Sequence, residues 1–401
     1  SRRNLFSLSA YLKCASCMGL LATLFILYKS VKKETISLFS LLYERSVGRL
    51  QKRVTIITFV CKTIRMCYKN MERVVSGIRP TGNLHLGNYY GAVVNFLKMQ
   101  EEYDCLFFIA DWHSLTTHPH PESIRQSSYT ILAEYLAAGI DPDKASIYIQ
   151  SDVPEVLELY LYLNMISFKG ELERTTTFKD KARKQPDNIN AGLLTYPVLM
   201  AADILLHRAH KVPVGKDQEQ HLEITRKLAR RFNNTYGVEF FFEPTSFSPG
   251  KGESIKIPGL DGSGKMGKSE GNAIYLVDDE KSISKKVMRA VTDSGPTEPN
   301  SPLTEPIANL FMLLQLVSTP EVYTYYRDAY ANCNIRYGDL KKQLAQDIFA
   351  HTAPIRERIL DFQKNTDLLQ KIARQGAEKA RESARQTIQE VRQIIGFKPY
   401  N

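Results

Sequence analysis

The rhythm of apolar and polar positions changes several times along the chain. Arg73-Val74-Val75-Ser76-Gly77 is a short apolar run that predicts a buried strand, followed by a Gly/Pro-rich turn and a helix from about Asn88. Apolar runs at Cys105 to Ala110, Ser146 to Gln150 and Lys211 to Gly215 predict further strands, and helical spacing over Ser127 to Ala138 and Gln218 to Phe232 alternates with them. Strand and helix alternating in this way predict a doubly wound parallel sheet, an α/β, Rossmann-like nucleotide-binding domain. Ala273 to Val277 is the last strand-like stretch; long amphipathic helices then take over and predict an all-α C-terminal domain. The last helix repeats apolar residues at Leu369, Ala373, Ala377, Ala380, Ala384, Ile388, Val391 and Ile395, in steps that share one face, and is ended by Gly396 and Pro399.

Composition excludes a fibrous or disordered chain: 43% of the 401 residues are hydrophobic and 24% charged. The net charge of +10 is unevenly held. Ser1 to Asn70 has 13 Lys and Arg against 2 Asp and Glu, and the remaining 331 residues have 40 against 41. Any nucleic-acid contact of the main body must therefore come from local patches. The basic leader holds an uncharged run from Cys14 to Tyr28, short of the roughly 20 residues a membrane span needs. It reads as upstream sequence carried into the chain before Met71, as an organellar transit peptide, or as a signal-peptide core. Cys14 and Cys17 form a lone C-x-x-C without a second pair, and His118-Pro-His120-Pro puts its histidines in a proline-rich loop, so no metal site is assigned to either.

Two glycine-rich segments carry the candidate chemistry. The first runs from Ser76 through Arg79-Pro80-Thr81-Gly82-Asn83-Leu84-His85-Leu86-Gly87-Asn88, where glycines admit a ligand to the backbone and the next helix offers free N–H groups to an anion. The second is Asp261-Gly262-Ser263-Gly264-Lys265-Met266-Gly267-Lys268-Ser269. Its last eight residues satisfy the P-loop pattern, but a P-loop needs a helix beginning at Lys268-Ser269, and Glu270-Gly271-Asn272 follows instead. Read as Lys-Met-x-Lys-Ser, it places two ammonium groups on a mobile loop, able to neutralise charge on departing pyrophosphate.

His85-Leu-Gly-Asn88 and Lys265-Met-Gly-Lys-Ser269 together resemble the paired signatures of class I aminoacyl-tRNA synthetases. Gly170 to Lys181, Gly192 to Asp203, Val212 to Glu223 and Gly376-Ala-Glu-Lys-Ala-Arg381 are similar to the tryptophanyl-tRNA synthetases of bacterial and organellar type, and the resemblance runs from Met71 to Asn401. It implies a catalytic domain over 71–276 with a connective insertion around 115–190, and a helical anticodon-binding domain over 277–401. ATP contacts would fall on Arg79, Pro80, Thr81, Gly87, Asn88, Gly215, Lys216, Asp217, Ile257 and Lys265 to Ser269. Asp203 would accept the indole N–H, with Tyr196, Met200, His113 and Gln218 around the amino acid. Catalysis of adenylate formation would rest on His85, Asn88, Lys265, Lys268 and Ser269, with Mg²⁺ accompanying ATP and no metal held by protein ligands. The resemblance further implies tRNA(Trp) and L-tryptophan as partners, a homodimer with no membrane association, and a bacterial cytoplasm, or an organellar matrix if the leader is a transit peptide. Gly267, Arg79 and Lys216 depart from the usual Ser, Gln and Glu, each adding positive charge or loop freedom near ATP. A non-charging tRNA-binding or regulatory paralogue is the alternative from another class.

Overall fold

A computed structural model describes residues 71–117, 119–215, 218–247, 256–262 and 264–398. The leader, with its C-x-x-C and apolar run, lies outside the described residues, as do His118, Lys216 and Asp217.

Five strands form one sheet among the described residues: β1 Arg73–Ile78, β2 Asp104–Ile109, β3 Ala145–Ile149, β4 Lys211–Val212 and β5 Thr245–Ser246. Their order is β3-β2-β1-β4-β5 and every pairing is parallel. The doubly wound sheet expected from the alternation is therefore present, and the order reverses between β1 and β4, where such sheets open a crevice for ligands. Side chains alternate across it. Val74, Cys105, Phe107, Ala145 and Ile147 enter one apolar cluster, and Val75, Leu106, Phe108 and Tyr148 enter the other.

The helices are α1 Leu86–Asn88, running through a π-turn at Tyr89–Val93 into α2 Val94–Met99; α3 Asp111–Ser114; α4 Pro121–Ala138; α5 Glu155–Met165; α6 Lys169–Glu173; α7 Thr176–Lys184; α8 Ala191–Leu206; and α9 Glu219–Tyr236. Beyond them come α10 Glu280–Met288, α11 Glu305–Val317, α12 Pro320–Ala331, α13 Tyr337–Lys364 and α14 Thr366–Ile395. Caps mark several of these ends: Asn190 and Asp279 accept the N–H groups of Leu193 and Ser282, and Gly139, Gly237 and Gly396 close helices in left-handed geometry.

Three expectations change on the structure. Residues 145–149, inside the span expected as a connective insertion, pair with β2 in the core sheet, and α4 is the crossover that leads to them. The strand pattern at 273–277 forms no sheet strand; it meets His85 through an isolated antiparallel bridge at Tyr275. β4 ends at Val212 because Pro213 has no N–H to continue the ladder.

The helical C-terminal region and the sheet belong to one compact unit, 71–401. α14 lies against β3, the strand at the sheet's edge, and a Cβ on Gly376 would sit on the carbonyl of Ile147. Ala373, Ala377, Ala380 and Ala384, all buried, continue the small face on either side of it. The apolar repeat read from the sequence is thus a close-packing face, of which Ile395 alone is only half buried. Arg73 Nη1 donating to Ser383 Oγ at 2.8 Å ties the same helix to β1.

Candidate active site

β1 delivers the first glycine-rich segment to the crevice. His85 caps α1 reciprocally: its Nδ1 accepts the Asn88 N–H at 3.3 Å, and Asn88 Oδ1 accepts the His85 N–H at 3.2 Å. An accepting Nδ1 leaves the ring proton on Nε2. Burial, then Lys268 and Lys265, push the imidazole down to about 4, so His85 is a neutral N–H donor at pH 7. Gly87 has no room for a side chain, since a Cβ there would stand 2.8 Å from the His85 ring.

The second segment folds over the first. Lys268 Nζ donates to the Gly82 carbonyl at 2.7 Å and to Thr81 Oγ1 at 3.4 Å. Leu86 N–H donates to Ile274 O, and Leu276 N–H to Leu84 O, both at 2.9 Å, so the two segments share backbone hydrogen bonds on either side of His85. Asn272, 4% exposed, organises the loop: its Oδ1 takes the Gly267 N–H at 2.9 Å, and its Nδ2 reaches Asp261 Oδ1 at 2.9 Å and the Lys265 carbonyl at 3.2 Å. Met266 and Ile257 are buried, joined by a 2.7 Å bond from Met266 N–H to Ile257 O, and so anchor the loop from beneath. A 3₁₀ turn over Lys268–Glu270 ends at Gly271 with φ of 66°. No helix aims these amides at a phosphate, which removes the P-loop reading.

α8 presents Tyr196, Met200 and Asp203 along one face. Asp203 is 4% exposed; His113 Nε2 lies 2.8 Å from its Oδ2, and Gln150 Nε2 donates to both oxygens at 2.8 and 2.9 Å. Burial raises the Asp203 carboxyl, and the His113 and Gln150 hydrogen bonds oppose that rise. Nearby, His221 Nδ1 meets Gln218 Oε1, while Tyr196 Oη and Thr177 Oγ1 meet His221 Nε2, all at 2.8 Å. Because Gln218 Oε1 only accepts, His221 carries its proton on Nδ1, which leaves the single lone pair of Nε2 as acceptor for the hydroxyls of Tyr196 and Thr177 beside it. Lys181 Nζ stands 3.7 Å from the Tyr196 ring centroid. Burial, then Arg79, pushes Lys181 down to about 8.

Arg79, Lys181, Lys265 and Lys268 therefore lie close enough to act on one another or on His85. Such a cluster is self-repelling until a polyanion joins it. Among the described residues, no group of three or more His, Cys, Asp or Glu is placed to hold a metal.

Gln150, Asn272 and the buried acid Glu134 have no place among the residues expected from the sequence, while Thr177, Lys181 and His221 lie within its motifs without a role of their own. Met200 is half buried and packs against the apolar cluster of its sheet face. Pro80 is buried and Thr81 exposed beside Lys268 Nζ, while Gly215 follows β4 at the crevice. The Ser269 backbone lies in the 3₁₀ turn.

A parallel sheet with these two segments bound together at its switch point is the arrangement of a class I synthetase. The family model for class I tRNA synthetases (W and Y) matches residues 69–352, and the chain belongs to that family. It is 70% identical to the tryptophan–tRNA ligase of Porphyromonas gingivalis over 328 residues, 82% of this chain and all of that one. The corresponding ligase of Fusobacterium nucleatum is 41% identical over 327 residues, covering 82% of this chain and 98% of the relative. Among solved structures, tryptophanyl-tRNA synthetase of Campylobacter jejuni complexed with ADP and tryptophan is similar, with a TM-score of 0.73 and 37% identity. That match covers 81% of this chain and all of the other.

Proposed function

We propose that this chain is a tryptophan–tRNA ligase: it activates L-tryptophan with ATP and passes it to the 3′ end of tRNA(Trp). The observation that carries the reading is Asp203, a buried carboxyl held by His113 and Gln150 on the same crevice as the basic cluster. Indole offers one N–H and no acceptor, so a buried carboxylate with capacity to spare selects it. The phenol of tyrosine would need a donor as well.

The substrate carboxylate is already ionised at pH 7 and attacks the α-phosphate without a general base. The work left to the protein is alignment and neutralisation of charge. Neutral His85 donates through Nε2, the Asn88 oxygen fixes that donor through the cap, and the Asn88 NH₂ is left to donate to the phosphates as well. Lys265 and Lys268 face the phosphates, Lys268 exchanging its bond to Gly82 O for a phosphoryl oxygen. Arg79, close to both Lys268 and Lys181, adds charge together with Lys181, and Tyr196 and Gln218, fixed through His221, border the amino acid. Mg²⁺ bound with ATP supplies further neutralisation of the phosphates. On the family's pattern the nucleotide site would also take in Lys216, Asp217 and Ser269.

Partner assignments follow. The helices after residue 277 read the anticodon. A second copy of the chain covers α5, where Leu157, Leu161 and Met165 recur at helical spacing, 43, 50 and 74% exposed, with Phe168 beyond them at 59%. No described helix is long and apolar enough to cross a membrane. The activity is assigned to the cytoplasm on the bacterial origin of the relatives.

The test is ATP–pyrophosphate exchange followed by charging of tRNA. Exchange should depend on tryptophan and not on tyrosine. Exchange driven by tyrosine, or tRNA binding with no exchange, would replace this reading.

A further inference from the structure

Glu134 has no place in the chemistry above, yet it is fully buried on α4 within the apolar run Ile131 to Ala138. Its Oε2 accepts the Leu84 N–H at 2.8 Å, and its Oε1 is buried with no hydrogen-bond partner. A carboxyl in such a place costs stability, and any aliphatic side chain would suit the helix better. The compensating gain must lie where it points.

It points at one peptide. Leu84 stands between Gly82, whose carbonyl holds Lys268, and His85, whose ring caps α1 and donates toward the phosphates. Its N–H is held by Glu134, and its carbonyl by the Leu276 N–H from the stretch that follows the lysine loop. Without Glu134 that N–H would be orphaned in the core, and the peptide would be free to turn toward another acceptor. Lys268 lies near enough to oppose the rise that burial gives the Glu134 carboxyl, so one acid lies behind both halves of the catalytic pair.

We propose that Glu134 is a positioning residue for adenylate formation, acting through the Leu84 amide on His85 and on the resting seat of Lys268. The inference rests on reading the crevice as an adenylate-forming site. It places the effect of Glu134 on the turnover step, since the tryptophan pocket around Asp203 is built by α3, α8 and the turn after β3.

Three variants of the full chain test it: Glu134→Gln, whose amide oxygen can still accept from Leu84; Glu134→Asp, one methylene too short; and Glu134→Leu, with no acceptor. Exchange kinetics are paired with hydrogen exchange of the peptide spanning Leu84 and with thermal unfolding. In Glu134→Leu and Glu134→Asp, kcat for exchange should fall by about 10²-fold, the usual consequence of a displacement near 1 Å. Tryptophan KM should hold, and protection at Leu84 should be lost. Glu134→Gln should recover both kcat and protection. A structural role alone would instead lower Tm without splitting kcat from KM. The proposal is overturned if the folded Leu or Asp variant keeps wild-type kcat, if kcat falls while Leu84 stays protected, or if Gln is no better than Leu. Should Leu fail to fold, Asp against Gln decides. Absence of tryptophan-dependent exchange in the wild-type protein would count against the functional reading, and protection at Leu84 would still report on the geometry.

Discussion

Asp203→Asn changes one acceptor in a place where three donors converge. His113 and Gln150 already donate to the carboxylate, and the indole N–H would be the third. A carboxylate can receive all three; a carboxamide has one oxygen and turns an NH₂ toward whatever faces its other side. Gln150 can absorb part of the change. Its Oε1 is buried without a partner, so rotating that amide would present an acceptor to the new NH₂. The asparagine oxygen is then left to His113 and indole, and what disappears is the charge assistance. Bonds to charged groups contribute about 1.5–3 kcal/mol against about 0.5–1.5 for neutral ones, a difference of about 1 kcal/mol. Tryptophan KM should therefore rise about five- to tenfold. ATP KM should not move, and Tm should change little because a desolvated carboxyl has also been removed. Exchange kinetics with each substrate varied in turn, together with equilibrium dialysis of tryptophan, measure this. Unchanged tryptophan affinity in a folded variant would refute contact between Asp203 and indole, and a parallel rise in ATP KM would show that the substitution disturbs the whole crevice.

Lys268→Ala should lower kcat for exchange by about 10²- to 10³-fold while tryptophan binding persists, because the lysine acts mainly on charge present in the transition state; tryptophan-independent ATP hydrolysis by the variant would contradict it. Burial raises Glu134 from 4.5 to about 8, so in the folded protein it gives up its proton later than in the unfolded chain. Its contribution is complete below pH 4.5 and is lost as pH rises toward 8. Glu134→Gln should accordingly match wild-type stability near pH 4.5 and exceed it by up to about 3 kcal/mol at pH 7, read by denaturant unfolding; a gap that narrows with rising pH reverses the sign and the argument. Met165→Glu should yield a folded monomer by light scattering, and a persisting dimer would move the interface away from α5.

Much of this arrangement can be read from residues alone, and the exceptions have definite causes. β1, β2 and β3 stand out because continuous apolar runs suit strands covered on both faces. Ala273 to Val277 has the same appearance, but its backbone pairs with the His85 loop instead of the sheet, and composition does not distinguish the two. α14 shows its apolar face in sequence and conceals what the face meets, since periodicity specifies a surface and not a partner. The small residues around Gly376 were the available sign of a close backbone approach. His85, Lys268 and Asp203 sit in spaced motifs that concentrate chemistry. Gln150 and Glu134 are single polar residues at the end of a strand or within a helix, and only tertiary contact separates them from ordinary surface positions; His221 lies within a spaced motif, and its contacts to Gln218, Tyr196 and Thr177 give it a place. Glu134 came nearest to visibility, as a charge on the buried side of a helix.

α14 also bears on how the protein is made. β3 is an outer strand, and an uncovered outer strand offers its backbone to any other extended chain. The helix that shields it follows every strand of the sheet in the chain, so a nascent polypeptide carries its exposed sheet margin until residues 366–395 have been made. A premature stop before residue 366 would therefore bare the margin of the catalytic sheet and favour aggregation through it. A bulkier residue at position 376 would do the same by holding the helix off the strand.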